Sequence, residues 1–276
     1  YKKLGKAAFS TPLIYKDYII CTFSGDKESS ILCYDLKIGI EKWRKNFYSI
    51  EASPILVNDN IILSTVEGEI VKLNLADGKE QWSYKLKNQK FGFYNSPSFS
   101  GNKIFTGATD GYMYCIDFNS GKEMWKYKTN ASVYADVSIY GNKIYFGSDD
   151  KNFYCLDTAG KLIWSKNLNS KVISSCGFYN DKIIISTVGG KIYSLNQNDG
   201  GENWSFTTKG AIHASPLIKD NKIFIGSYDF FIYCIDAEDG AELWKYKTEG
   251  RIRSSAVVWK DYILVGSDPK YFYCFK

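Results

Sequence analysis

The stretch ASPLIKDNKIFIGSYDFFIYCIDAEDGAELWKYKT, residues 214–248, contains four short runs in which apolar and other residues alternate. Alternation with a period of two places successive side chains on opposite faces of a sheet, so these runs predict β-strands rather than helices. We label the four strands a to d; they cover residues 214–218, 222–227, 231–236 and 243–248. Short turns rich in Asn, Asp and Gly join them. The stretch therefore predicts one four-stranded antiparallel sheet.

The same pattern recurs along the chain. In each copy an Asp or Asn, a short turn and a Gly precede a Trp, as in Asp236, Gly240 and Trp244, and only the copy that begins at Asp157 is one residue shorter. The tryptophans of this frame, separated by 39 to 43 residues, are Trp43, Trp82, Trp125, Trp164, Trp204 and Trp244. A four-stranded repeat of this length is typical of a β-propeller, in which each repeat forms one blade.

The blade count follows from the number of frames. Six Trp frames predict six blades, and residues 254–276 supply strands a, b and c of a seventh. Aligning residues 10–20 with residues 254–264 places Tyr1 level with Lys245, next to Tyr246, so residues 1–3 are expected to complete the last blade. We therefore predict an all-β fold, a seven-bladed β-propeller of four-stranded antiparallel blades. It forms a single domain over residues 1–276 and is closed by its N-terminal strand.

Proline predicts which strand lies at the blade edge. Four prolines share one position of strand a, namely Pro12, Pro54, Pro97 and Pro216. Because proline has no N–H to donate, it is tolerated mainly on unpaired edge strands. We therefore expect strand a to line the central channel of the propeller.

Composition and charge exclude several classes of partner. Aromatic residues make up 17% of the chain and prolines number only 5, a balance that favours strands. The net charge of +5 is spread without a polybasic run, so we expect no nucleic-acid partner. No apolar run reaches 18 residues, so we expect a soluble chain with no direct membrane insertion. The chain begins at Tyr1 rather than Met, and we expect that residues are missing before it.

The run Tyr233, Cys234, Ile235 and Asp236, followed by Gly240 and Trp244, resembles the quinoprotein repeat, also called the pyrroloquinoline-quinone-type propeller repeat. WD-repeat propellers differ, since they need an Asp directly after the Trp. The resemblance implies that the six frame tryptophans dock between neighbouring blades. The family includes quinone-dependent alcohol and sugar dehydrogenases and the lipoprotein that assists outer-membrane protein assembly. It leans towards extracytoplasmic locations.

The resemblance also defines which cofactor to look for. The larger quinoprotein dehydrogenases have eight blades, a bridge between two neighbouring cysteines, and a calcium ion held by acidic and amide side chains. Our chain has no adjacent cysteine pair, and no acidic cluster stands out from its repeating frame. We therefore expect no cofactor and no metal ion. Pyrroloquinoline quinone with calcium is expected only if the chain is a dehydrogenase.

Five of the seven cysteines share one position of strand c: Cys33, Cys115, Cys155, Cys234 and Cys274. Equivalent positions on neighbouring blades lie on different sheets, so we expect free thiols that fill the core rather than disulfides or metal ligands. Free thiols are typical of a reducing compartment, whereas the resemblance to the quinoprotein family implies an extracytoplasmic location. The localisation is therefore left open.

Two sets of acidic positions recur with the repeat. Asp35, Asp117, Asp157 and Asp236, replaced by Asn74 and Asn196 in two copies, are expected to bond to the backbone of their own turns. A second set in the turns between strands b and c is expected to be solvated, with cation binding as the alternative; it comprises Glu67, Asp110, Asp150, Asp229 and Asp268. Because His213 is the only histidine, no catalytic triad or Cys/His pair can be assembled.

A candidate binding surface comes from one variable repeat position. Counting back three residues from the strand-a position of Pro12, Pro54, Pro97, Val137, Gly177, Pro216 and Ala256 gives Phe9, Glu51, Tyr94, Tyr134, Ser174, His213 and Arg253. These residues differ widely, so blade packing does not dictate them. Since strands alternate in direction, they are expected to meet the b–c turns around one channel mouth, where aromatic and polar side chains suit a ligand. The alternative is that they only plug or solvate the channel.

The sequence thus favours a non-catalytic binding or assembly scaffold, with a protein, peptide or small ligand on the top face at the channel mouth. One alternative is a pyrroloquinoline-quinone-dependent alcohol or sugar dehydrogenase. Another is a structural module of a larger envelope protein. Whether the chain is an enzyme is left open, with the non-catalytic interpretation preferred.

Overall fold

The computed structural model describes residues 10–24, 29–88 and 90–276. Throughout these residues the regular secondary structure is β-strand, which confirms the predicted all-β class. In the same residues there is no helix that could span a membrane. Contacts between Cα atoms divide the chain into two compact units, Tyr1–Ile139 and Tyr140–Lys276, and we describe each unit by itself. That the whole chain is a single domain remains a prediction.

The first unit contains three antiparallel sheets, each with its strands in sequence order. Blade 1 comprises β1 (Leu13–Tyr15), β2 (Tyr18–Ser24), β3 (Ser29–Asp35) and β4 (Ile40–Phe47). Blade 2 comprises β5 (Ile55–Val57), β6 (Asn60–Ser64), β7 (Glu69–Asn74) and β8 (Glu80–Lys85). Blade 3 comprises β9 (Ser98–Ser100), β10 (Lys103–Gly107), β11 (Tyr112–Asp117) and β12 (Glu123–Lys128).

Four further sheets follow along the chain. Blade 4 comprises β13 (Ser138–Tyr140), which lies at the division, β14 (Lys143–Gly147), β15 (Asn152–Asp157) and β16 (Leu162–Asn167). Blade 5 comprises β17 (Gly177–Tyr179), β18 (Lys182–Ser186), β19 (Lys191–Asn196) and β20 (Glu202–Thr207). Blade 6 comprises β21 (Leu217–Lys219), β22 (Lys222–Gly226), β23 (Phe231–Asp236) and β24 (Glu242–Lys247). Blade 7 comprises β25 (Val257–Trp259), β26 (Tyr262–Ser267) and β27 (Tyr271–Phe275).

The blade count predicted from the Trp frames is confirmed. The described residues form seven antiparallel sheets, six with four strands and one, blade 7, with three. Among the described residues, blade 7 has strands a, b and c, as predicted. The predicted completion of this blade by residues 1–3 lies outside the described residues, so closure of the propeller stays a prediction.

The a strands, which lie at one edge of each sheet, are shorter than predicted and begin later. Strand a of blade 6 starts at Leu217, directly after Pro216, and β1, β5 and β9 likewise start one residue after Pro12, Pro54 and Pro97. The placement of these prolines within strand a is therefore wrong: they precede it. The reason is that proline has no N–H for the ladder and forces its predecessor out of regular pairing.

The hydrophobic core lies between successive sheets of each unit. Between blades 1 and 2, Ile31 and Cys33 pack with Ile61 and Leu73, all of them fully buried. The same layer recurs between blades 2 and 3, 4 and 5, 5 and 6, and 6 and 7. Each blade thus buries side chains of its two central strands against its neighbour, which is how repeat proteins build a continuous core from units that cannot bury their faces alone.

The frame tryptophans make the contacts that join consecutive blades. The indole Nε1 of Trp43 donates to the carbonyl of Leu75 in the next blade at 2.8 Å. Trp82 donates to Phe118 at 3.0 Å, and Trp164 donates to Gln197 at 3.1 Å. The frame glycine of the next blade lies on the indole: a Cβ at Gly121 would approach Cδ2 of Trp82 to 2.6 Å. The spacing of Gly and Trp in the sequence therefore reflects contact between one blade's Trp and the next blade's Gly.

Candidate functional site

In both units the d–a connections between blades and the b–c turns within blades lie at the same end of the sheets. In the first unit, the N–H of Phe93 donates to the carbonyl of Thr65, and the N–H of Thr109 donates to Gly92, each at 3.0 Å. In the second unit, the N–H of Tyr228 donates to Ala211 at 2.9 Å, and the N–H of Ile252 donates to Ser227 at 3.2 Å. In each unit, taken by itself, we call the end formed by these connections and turns the connection end.

A buried residue anchors each connection. Phe93, Val133 and Ile252 are fully buried, and the residue that follows each of them is exposed. Val133 and Ile252 fit because strand b has a glycine opposite each of them: a Cβ at Gly226 would lie 2.0 Å from Cγ2 of Ile252. Packing therefore determines the anchor residue, whereas the next side chain points to solvent and is free to vary between blades.

A row of hydroxyl and carboxylate groups shows which positions are equivalent. The N–H of Ser53 donates to Ser96 Oγ at 3.3 Å, and the N–H of Ser96 donates to Asp136 Oδ1 at 2.7 Å. In the second unit, Ser175 and Ser215 donate in the same way to Ser215 Oγ at 3.2 Å and Ser255 Oγ at 2.9 Å. Each bond joins the residue two positions after one exposed site to its counterpart on the next blade.

This register corrects one predicted site residue. In blade 5 it makes Ile173, not Ser174, the counterpart of His213, because the prediction aligned Gly177 with the prolines where the structure aligns Cys176. Ser174 is buried, and its Oγ lies 2.8 Å from Ser186 Oγ. The one-residue shorter frame at Asp157 and the lack of a proline in blade 5 explain the slip. Ser174 is therefore not exposed at the connection end.

In the first unit the candidate residues form an aromatic and acidic patch. Phe9 lies outside the described residues. The rings of Tyr94 and Tyr134 meet edge to face with centroids 5.5 Å apart, and they are 36% and 38% exposed. Burial, followed by the negative charge of Glu51, raises the pKa of the Tyr94 hydroxyl. The structure thus brings Glu51, Tyr94 and Tyr134 together at the connection end.

In the second unit the candidate residues surround a tyrosine that the sequence interpretation did not select. The hydroxyl of Tyr228 lies 3.1 Å from Nδ1 of His213, and the two rings are 4.5 Å apart. The guanidinium carbons of Arg251 and Arg253 each lie 5.7 Å from the Tyr228 ring. Nε of Arg253 pairs with Oδ2 of Asp268 at 2.9 Å. We call these five residues the Tyr228 cluster.

The electrostatics of this cluster favour a neutral imidazole. Partial burial, followed by the positive charge of Arg253, lowers the pKa of His213. At neutral pH the ring therefore accepts and donates one hydrogen bond each, while the two arginines carry the positive charge.

The frame acids bond within their own turns, and three acids of the b–c turns, Asp110, Asp150 and Asp229, accept from tyrosines of strand c. Asp117 accepts the N–H of Ser120 at 2.8 Å and Asp236 accepts that of Glu238 at 2.7 Å, which confirms the local role predicted for the frame acids. In the b–c turns, Tyr114 donates to Asp110 at 2.6 Å and Tyr233 donates to Asp229 at 2.7 Å. Most of the second acidic set is thus engaged by strand-c tyrosines.

We compared the chain with known proteins. The family model described as outer membrane protein assembly factor BamB matches residues 3–84, 66–171 and 153–270, which together span nearly the whole sequence. The chain belongs to the BamB family. A search of curated protein sequences gives no significant match.

Solved structures similar to this BamB-family chain share its fold at low identity. The computationally designed Ika8 protein matches with a TM-score of 0.79 at 14% identity, covering 98% of this chain and 96% of that one. BamB from Moraxella catarrhalis matches with a TM-score of 0.62 at 14% identity, covering 98% and 97%. A europium-containing methanol dehydrogenase matches with a TM-score of 0.64 at 11% identity, covering 95% and 83%. Identities this low establish the fold and do not carry over an activity.

The described residues of this BamB-family chain contain no recognisable metal site, and the absence of a quinone stays a prediction. Among them, no group of three or more His, Cys, Asp or Glu side chains lies close enough together to hold a metal ion. All seven cysteines are free thiols, so the bridge of neighbouring cysteines has no counterpart here.

Two members of the Tyr228 cluster, Tyr228 and Arg251, were missed by the sequence analysis. A count of residue types could have found Arg251, because only three of the 35 basic residues in this BamB-family chain are arginines and two of them are Arg251 and Arg253. Tyr228 had no such signal, since it lies in a b–c turn next to the recurrent acid Asp229. Only the contacts of its side chain with His213 and the two arginines show that Tyr228 faces the connection end.

Proposed function

We propose that the chain is a non-catalytic scaffold that binds a protein or peptide partner at the connection end. One observation carries this proposal. Next to the buried anchors Val133, Ile212 and Ile252 stand the exposed side chains of Tyr134, His213 and Arg253, which are large, dissimilar and able to make directional contacts. Aromatic residues and arginine are the residue types that dominate binding energy at protein interfaces.

The family supports a protein partner over a small molecule. Its model is named for an outer membrane protein assembly factor, and an assembly factor acts by holding other proteins. We propose by the same argument that the chain works in the cell envelope. The possibility that it is one module of a larger envelope protein is compatible with this role.

We do not favour the dehydrogenase alternative. The similarity to the fold of a europium-containing methanol dehydrogenase supports this alternative, but a fold alone does not define an activity. Among the described residues, no group of three or more His, Cys, Asp or Glu side chains is placed to hold a metal ion.

The test is a pull-down from an envelope extract with the immobilised full chain and three variants. Tyr134→Ala and Arg253→Ala should each lower the affinity for the retained partner at least tenfold, about 1.4 kcal/mol. Both side chains are exposed, so neither substitution should shift the thermal midpoint much.

Lys161→Ala is the matched control, because it removes one positive charge from an exposed c–d turn away from the connection end. It should bind like the unaltered chain. If Tyr134→Ala and Arg253→Ala retain the partner while Lys161→Ala loses it, the connection end is the wrong surface.

A further inference from the structure

We propose that the Tyr228 cluster is a carboxylate-binding site that recognises an acidic peptide segment of the partner. This inference rests on the proposed function, since it names the chemistry of the partner that the connection end binds. Its five members are His213, Tyr228, Arg251, Arg253 and Asp268.

Arginine rather than lysine supplies the positive charge of the cluster. Lysine supplies the other basic residues, yet the chain places two of its three arginines two residues apart on one connection. An ordinary solvated surface has no need for arginine in place of lysine. Arginine differs by its planar fork of N–H donors, which matches the two oxygens of a carboxylate and stacks on aromatic rings.

The side chains of Arg251 and Arg253 are ordered before a ligand binds. The buried Ile252 between them fixes the connection, so Arg251 and Arg253 project on the same side and both approach the Tyr228 ring at 5.7 Å. Stacking against one ring orders two long side chains in advance. Less conformational entropy is then lost when they bind a ligand.

One positive charge of the cluster, on Arg251, has no carboxylate partner among the described residues. Asp268 pairs with Arg253 at 2.9 Å, whereas within the described residues the Arg251 guanidinium has no carboxylate partner. The cluster therefore keeps one unmatched cation at the surface. A carboxylate bound beside Arg251 would pair with this guanidinium, as Asp268 pairs with Arg253.

His213 supplies a further hydrogen-bond donor. With a lowered pKa, His213 is neutral at pH 7, and when its Nδ1 accepts the Tyr228 hydroxyl proton its Nε2 carries the remaining N–H. That N–H is left to donate to a ligand oxygen. The site thus offers a guanidinium fork and a neutral donor next to an aromatic face, which suits a peptide carboxylate.

The carboxylate could come from acidic side chains or from a chain terminus. Both present the same two oxygens, so the experiment separates them with four probes on the full chain: hexaglutamate with a free C-terminus, hexaglutamate with an amidated C-terminus, hexaglutamine with an amidated C-terminus, and inorganic phosphate. Binding is measured by isothermal titration at fixed ionic strength, since charge interactions weaken with salt.

We expect amidated hexaglutamate to bind and amidated hexaglutamine not to bind. Arg251→Gln should weaken hexaglutamate binding at least tenfold and Arg251→Lys at least threefold, because lysine keeps the charge but loses the fork. Lys161→Gln, the matched removal of an exposed charge elsewhere, should change it less than twofold. Arg253→Gln repeats the test should Arg251→Gln fail to fold. Stronger binding of the free C-terminal form assigns the site to a chain terminus.

Three results overturn the assignment: equal binding of hexaglutamine, an equal loss in Lys161→Gln and Arg251→Gln, or binding of phosphate without hexaglutamate. The pull-down separates these failures from failure of the proposed function. If Tyr134→Ala still abolishes partner retention while hexaglutamate does not bind, the scaffold role stands and the acidic ligand is wrong.

Discussion

The strand-c cysteines show how one repeated residue takes its chemistry from its blade. Cys33, Cys115, Cys155 and Cys234 are fully buried, whereas Cys274 in the three-stranded blade 7 is exposed. Burial raises the pKa of Cys115 to about 12 and those of Cys155 and Cys234 to about 11. The core-filling role predicted for the set holds for four of its members, and Cys274 differs because no described strand covers it.

These pKa values predict a strongly uneven reactivity. Thiolates are the reactive species, and with a pKa of about 12 on the order of one Cys115 thiol in 10,000 is ionised at pH 8. We expect iodoacetamide at pH 8 to label Cys274 in minutes and the four buried cysteines only after denaturant is added. Peptide mass spectrometry measures each site. Rapid native labelling of Cys115 would show that the core opens far more easily than its packing indicates.

Prediction at the residue scale depended on whether a residue repeats. The frame acids and the strand-c cysteines recur, so their structural roles could be predicted from periodicity alone. Ser174 was selected through a one-residue error in register, because blade 5 has Cys176 where four other blades have proline. Tyr228 acts through a contact between two loops, and no sequence pattern encodes that contact.

At the scale of the element, the frame glycine and the docked tryptophan form one device. Gly121 has φ +68°, a left-handed conformation that glycine adopts without steric cost, and it also lies against Trp82 of the preceding blade. Gly101, in another turn of blade 3, has φ +54° but no atom within 4 Å of its ideal Cβ position. The two glycines therefore separate backbone conformation from contact between blades.

We expect Gly101→Ala to lower the free energy of unfolding by about 1 kcal/mol, the cost of a left-handed alanine. Gly121→Ala should lower it by about 2 to 4 kcal/mol, because overpacking against the indole adds to that cost. Urea denaturation of both variants measures the difference. Equal losses would mean that the Gly and Trp contact between blades contributes little.

Strand type and order could be predicted at this scale, while strand limits could not. Strand c of blade 6 spans residues 231–236 as its alternation indicates. Strand a was placed three residues too early, since alternation continues through Pro216 although backbone pairing does not begin until Leu217. Periodicity reports which face a side chain occupies, but pairing also depends on which N–H groups exist.

At the scale of the whole molecule, the repeated sheets both pack against one another and present exposed side chains that differ between blades. The positions that pack blades together are repeated almost unchanged, and the exposed position beside each anchor is not. The number of sheets followed from counting Trp frames. The membership of the binding surface did not, because it depends on how connections and b–c turns approach each other in space.

Hydrogen exchange of the full chain, with and without the partner retained in the pull-down, tests the central claim that the connection end binds this partner. We predict slower exchange in residues 130–136, 210–214 and 250–254, which lie in d–a connections, and no change in the c–d turns at residues 75–79 and 118–122. Protection confined to the c–d turns, with the connections unchanged, would contradict the account.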